Sequence, residues 1–155
     1  MKNLFDAIRQ EDLVMIEDII EKHPNQIHAK DERGSTPLLL ATYYGNLEIV
    51  QFILSKNPNI DEKDMAGNTA LMGVCFKGFT QIANLLIEAG ADTNITNTHG
   101  HTALIFAAMF NQTEIIESLL RNGAHIQHKD NQGMSAYDHA KSRNLQEVMV
   151  LLERI

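Results

Sequence analysis

Seven histidines and a single cysteine are the side chains of this sequence best suited to chemistry. Four of the histidines, His99, His101, His125 and His128, lie close together, and His99-Gly100-His101 reads as a metal-binding pair. Imidazole binds zinc and related ions, but a closed structural site wants four converging ligands, usually with thiolates among them. Cys75 is far away in sequence, and it has no second cysteine to pair with. A packed, inert thiol is the expectation for it rather than a nucleophile. The sequence holds no glycine-rich phosphate loop, no Ser-His-Asp grouping with a supporting context and no paired carboxylates in a recognisable pocket. The expectation is therefore no catalytic residue, no cofactor and no metal. The four histidines are read as solvent-facing side chains at variable positions. The alternative is a metal- or small-ligand-binding site in the His99/His101/His125/His128 region.

The elements that carry these residues recur. Asp31, Asp64, Asn97 and Asp130 each open a similar stretch, 33 residues apart. Gly34 recurs as Gly67, Gly100 and Gly133; Thr36 as Thr69, Thr102 and Ser135; Gly45 as Gly78, Asn111 and Asn144. Each type has a physical task. The Asp or Asn side chain bonds backbone amides of a turn. The following Gly supplies a positive φ without steric cost. The Thr or Ser caps a helix, and Pro37 suits a first helical position. That helix runs about nine residues and stops at Gly or Asn, the types most at home in a left-handed C-terminal cap. A second, amphipathic helix follows, with apolar residues at Ile49, Val50, Ile53 and Leu54. It ends at Asn57, Gly90 or Gly123.

Thr36 to Ala41 (TPLLLA) and Leu85 to Asn94 (LLIEAGADTN), set in this period, resemble the ankyrin repeat. The resemblance covers nearly the whole chain. It implies an all-α solenoid of stacked helix-turn-helix units with β-turn or hairpin tips. One departure is systematic. The family's His after T-P-L, which usually bonds backbone between repeats, is replaced by Leu39, Met72, Ile105 and Asp138. The expected division is one domain over residues 1–155, with an N-terminal capping unit at 1–30, repeats at 31–63, 64–96 and 97–129, and a C-terminal capping repeat at 130–155. The first unit matches the second at an offset of 34, Leu4 against Leu38 and Ala7 against Ala41, without the opening turn.

The resemblance also implies protein binding on a concave face built from turn tips and first helices. Positions that vary while the scaffold repeats are the candidates. Near the end of each first helix these are Tyr43 and Tyr44, Phe76 and Lys77, Met109 and Phe110, and Ser142 and Arg143. Their large apolar side chains would form a stripe across several units, and exposed contiguous apolar surface marks interaction sites. The same rings leaning into the stack as core is the competing expectation. At the turn tips Arg33, Met65, His99, His101 and Met134 complete the candidate surface. Gly73, mid-helix opposite Leu40, Phe106 and His139, is expected to make room for Phe106. Lys30, Lys63 and Lys129 are expected to be solvated.

Composition narrows the function further. A net charge of −7 argues against a nucleic-acid partner. The charged N-terminal stretch lacks the apolar core of a signal peptide, and the longest apolar run, Ala103 to Phe110, is too short to span a bilayer. The expected protein is a cytoplasmic monomer without a membrane or nucleic-acid partner. It would bind an unidentified protein or peptide and act as a regulator, inhibitor or stabiliser of it.

Overall fold

The computed structural model describes residues 3–153, so the expected bounds at 1 and 155 lie outside them. The helices are α1 (Leu4–Arg9), α2 (Leu13–Lys22), α3 (Pro37–Tyr44), α4 (Leu47–Ser55), α5 (Ala70–Lys77), α6 (Thr80–Glu88), α7 (Ala103–Met109), α8 (Thr113–Arg121), α9 (Ala136–Ser142) and α10 (Gln146–Glu153). A short 3₁₀ turn, Pro24–His28, follows α2. Each odd-numbered helix pairs with the even-numbered helix after it. The odd helices stack in the order α1, α3, α5, α7, α9, and the even helices form a second layer behind them. The result is the expected all-α solenoid.

Local chemistry sets this order. Asp31, Asp64, Asn97 and Asp130 each accept two backbone N–H groups on Oδ1, two and four residues on, at 2.9–3.0 Å. Thr36, Thr69, Thr102 and Ser135 each accept the N–H three residues later, capping α3, α5, α7 and α9. Asp138, in the slot of the family's His, instead completes a capping box with Ser135. Leu39, Met72 and Ile105 fill that slot with buried apolar side chains. Gly45, Gly78, Asn111 and Asn144 close the first helices with φ of 78°, 81°, 59° and 56°. In the first unit Glu11 takes the same role at φ 54°.

The core is one continuous apolar seam between the two layers. Ile16, Val50, Ala83, Ile116 and Val148 are buried to 0% exposure in the even helices. They meet Leu4, Leu38, Leu71 and Leu104 from the odd helices, buried to within 2%. Burying such side chains is worth about 1.5–3 kcal/mol each relative to exposure. The turn tips are also stitched together. Met65 donates its N–H to the Arg33 carbonyl, Thr98 to that of Ala66 and Asn131 to that of His99, at 3.0–3.2 Å. The lysines expected to be solvated carry part of this stitching. Lys30 pairs with Glu62 at 2.6 Å, and Lys63 donates to the Thr96 carbonyl at 2.9 Å. No described helix is long and apolar enough to cross a membrane.

Candidate functional site

The tips and first helices of the early units enclose a groove of about 720 Å³. Its walls include Arg33, Leu40, Tyr43, Tyr44, Phe76 and Phe106. Gly73 forms part of its floor. A Cβ built there meets nothing within 4 Å, so Gly73 does not accommodate Phe106 as expected; it leaves the groove open. The cost is roughly 1 kcal/mol of helix propensity in α5.

The expected stripe is largely at the surface. Tyr43 is 51% exposed, Tyr44 42%, Phe76 47% and Phe110 38%. They sit at the C-terminal ends of α3, α5 and α7, where the helix turns away from the core. Tyr43 and Tyr44 pack edge to face at 5.7 Å. Lys77 is exposed, and its ammonium lies over the Tyr43 ring at 4.5 Å, which joins two consecutive units. Met109 departs from the pattern. It is partly buried against the core. Phe106, one helical turn earlier and absent from the expected set, is also partly buried, but it lines the groove and joins the row of rings. Phe106 stacks on Phe110 at 6.5 Å, and Phe110 meets Phe76 edge-on at 4.8 Å. The signal for Phe106 was in the sequence. Its slot holds Leu40, Gly73, Phe106 and His139, types the scaffold does not dictate.

Among the turn-tip candidates, Arg33, Met65 and His99 are exposed, Met65 to 77%. Met134 is half-buried, and its N–H is taken by Asp130. Arg143 is exposed at the end of α9 and donates to the His139 carbonyl at 3.5 Å. The groove thus takes in Arg33, Tyr43, Tyr44 and Phe76 of the expected residues; the others lie along or beyond its rim.

The histidines separate. His125 is exposed, with its backbone N–H held by Asn94. His128 bonds the Gly100 carbonyl through Nε2 at 2.9 Å. His101 instead joins two residues outside the expected group. Its Nε2 lies 3.2 Å from Asp130 Oδ2, and His139 Nε2 lies 2.7 Å from the same oxygen. The His101 and His139 rings stand perpendicular at 5.7 Å, and His101 meets Phe106 edge-on at 5.4 Å. Burial works against the Asp130 carboxylate, but the His139 bond and the backbone N–H groups of Met134 and Gln132 outweigh it, holding the pKa down to about 2. For His101, burial is the largest influence and lowers its pKa, against the pull of the Asp130 charge. Burial pushes the Cys75 thiol far up, as suits an inert packed side chain.

Comparison with known proteins agrees with the architecture. A family profile described as "Ankyrin repeats (3 copies)" matches residues 4–97 and 72–154. The chain is 28% identical over 60 residues to "Ankyrin repeat and SAM domain-containing protein 6" of Mus musculus, covering 39% of this chain and 7% of that protein. The Rattus norvegicus protein of the same description matches at 28% over 60 residues, again 7% of its length. The chain therefore spans a small part of the length of these relatives. With the turn aspartates, the capped first helices, the left-handed stops and the family profile all in register, the chain belongs to the ankyrin-repeat family.

Proposed function

We propose that this chain is a non-catalytic interaction module that binds a partner protein or peptide in the groove between its turn tips and first helices. Ankyrin repeats generally mediate protein–protein interaction. The observation that carries the reading for this chain is the row of half-exposed rings, Tyr43, Tyr44, Phe76 and Phe110, beside an open groove. Rings left in water on a rigid scaffold lose little conformational entropy when covered, and aromatic anchors commonly contribute 2 kcal/mol or more each, as an order of magnitude. The binding unit is the repeat array over residues 31–129 with its flanking caps. It acts by occupying the partner, which inhibits, masks or stabilises it.

The test is affinity capture with wild type beside a Tyr43→Ala/Phe76→Ala/Phe110→Ala variant shown folded by circular dichroism. A protein retained by wild type and lost from the variant supports the groove. One retained equally by both moves the contact to the outer helices and refutes the assignment.

A further inference from the structure

We infer that His101, Asp130 and His139 form a binding site for a divalent first-row transition-metal ion of the zinc class. The inference is independent of the partner-binding reading. It also departs from the sequence expectation, which placed no metal here and, in its alternative, looked to His99, His125 and His128 beside His101.

The three ligating atoms, two imidazole nitrogens and one carboxylate oxygen, lie within 4.8 Å of one another. They come from three separate elements: the link before α7, the next turn, and α9. The Asp130 side chain is 1% exposed, that of His139 7% and that of His101 17%, so the cluster is closed except on the His101 flank.

The repeats provide an internal comparison. In every unit Oδ1 of the turn residue is spent on backbone N–H groups, which leaves its second side-chain atom free to meet the neighbouring unit. Asp31 Oδ2 faces the guanidinium of Arg9 at 3.6 Å. Asn97 donates from Nδ2 to Asn68 at 2.9 Å. One neighbour satisfies each of these. At Asp130 two imidazoles converge on one oxygen, from slots held elsewhere by Ser35, Asn68 and Met134, and by Leu40, Gly73 and Phe106. One carboxylate oxygen can accept from both, and two imidazoles beside one carboxylate are also the donor set that a metal ion takes.

The donor set selects the ion. Two imidazoles with one carboxylate suit zinc, cobalt or nickel, while magnesium and calcium prefer oxygen alone. Ligand atoms about 2.1 Å from a tetrahedral zinc stand about 3.4 Å apart. The His101 contact at 3.2 Å is already near this. The His139 contact at 2.7 Å must open by about 0.7 Å, a small side-chain rotation. The metal takes the place of the proton that each Nε2 directs at Oδ2, and each imidazole binds it as the neutral tautomer with its one proton on Nδ1. The Asp130 Oδ1 bonds to Gln132 and Met134 fix the carboxylate from behind, as outer-shell partners do in metal sites. The fourth position opens on the His101 flank, toward water or an incoming donor.

The experiment uses metal-stripped protein, titrated with zinc chloride by calorimetry and with cobalt chloride by visible absorption. The expected result is one ion per chain, with the ligand-field bands of four-coordinate cobalt. His101→Gln and His139→Gln should each weaken cobalt binding by at least about 100-fold. A His99→Gln/His125→Gln variant should bind as wild type. Absence of heat and of bands with folded wild-type protein overturns the inference. So does undiminished binding in the His101→Gln variant, which would mark ordinary surface-histidine binding. If His139→Gln does not fold, His101→Gln decides, because its side chain is the most exposed of the three.

Discussion

Replacing Gly73 with alanine should stabilise this protein. Gly73 lies inside α5, away from the left-handed positions, and an added methyl meets nothing within 4 Å. Alanine is better than glycine in a helix interior by roughly 1 kcal/mol. The unfolded-chain entropy of glycine is the same effect seen from the other side and is not counted again. The new methyl borders an open groove, so it buries little further surface. The net expectation is a gain of about 1 kcal/mol, or about 2–4 °C in Tm for a chain of this length. Urea unfolding followed by circular dichroism reads it as a higher midpoint at unchanged m value. Gly78→Ala provides the contrast at the end of the same helix. There φ is +81°, and the new Cβ would lie 2.7 Å from the Gln112 amide. That amide is a flexible end and can move, so the left-handed backbone dominates, at about 1–2 kcal/mol lost. A loss of stability in Gly73→Ala would mean that the floor of the groove is occupied, and the description of the groove would fail. Gly73→Leu should keep the stability gain while filling the groove and releasing a captured partner.

Three further outcomes follow from particular contacts. Thr102→Ala removes the acceptor of the Ile105 N–H at the start of α7 and should cost about 1 kcal/mol in urea unfolding. Ile116→Ala empties a fully buried site between the layers and should cost about 2–5 kcal/mol by the same assay. The Glu62 carboxyl is held below its ordinary 4.5, chiefly by its hydrogen bond to Lys30. A lowered carboxylate contributes stability above its ordinary value and loses it as pH falls through the folded one. NMR titration should therefore show Glu62 returning toward 4.5 in Lys30→Ala. The pair is partly exposed and screened by solvent, so the stability cost should stay below about 1 kcal/mol.

The parts of the fold that were legible in sequence are those in which one residue satisfies its own neighbours. Thr36 capping Leu39 and Gly45 stopping α3 are local events, and their residue types announce them. Contacts across the stack are different. Asn68 with Asn97, and His101 with Asp130, are each 29 residues apart. Aligned repeats place these residues in non-equivalent slots, so comparing slot with slot does not pair them. The offset arises because a turn residue in one unit reaches the link before the first helix of the preceding unit. Lys30 and Lys63, expected to be solvated, reach forward to Glu62 and Thr96 of the next unit and so also tie units together. Met109 and Phe106 are both partly buried, and what sets Phe106 apart is contact with rings of its own and the neighbouring helix, through Phe110 and Phe76, which slot comparison does not reveal.

A single slot then determines much of the chemistry along the molecule. At the fourth residue after each capping Thr or Ser stand Leu40, Gly73, Phe106 and His139. Leu40 walls the groove and Gly73 opens its floor. Phe106 extends the line of rings and touches His101. His139 turns the same backbone position into a ligand for a buried carboxylate. The backbone around the slot is nearly constant, since the cap before it and the left-handed stop after it recur in all four units. The slot therefore tolerates varied side chains, and chemistry can change there at a cost no greater than the roughly 1 kcal/mol of helix propensity that Gly73 gives up. A buried imidazole is tolerated at the last of these positions because Asp130, already fixed by its own turn, satisfies it. The repeat thus supplies an oriented carboxylate to every unit that carries Asp in its turn. Whether that carboxylate remains structural or becomes part of a site depends on which residues the adjacent variable slots present to it.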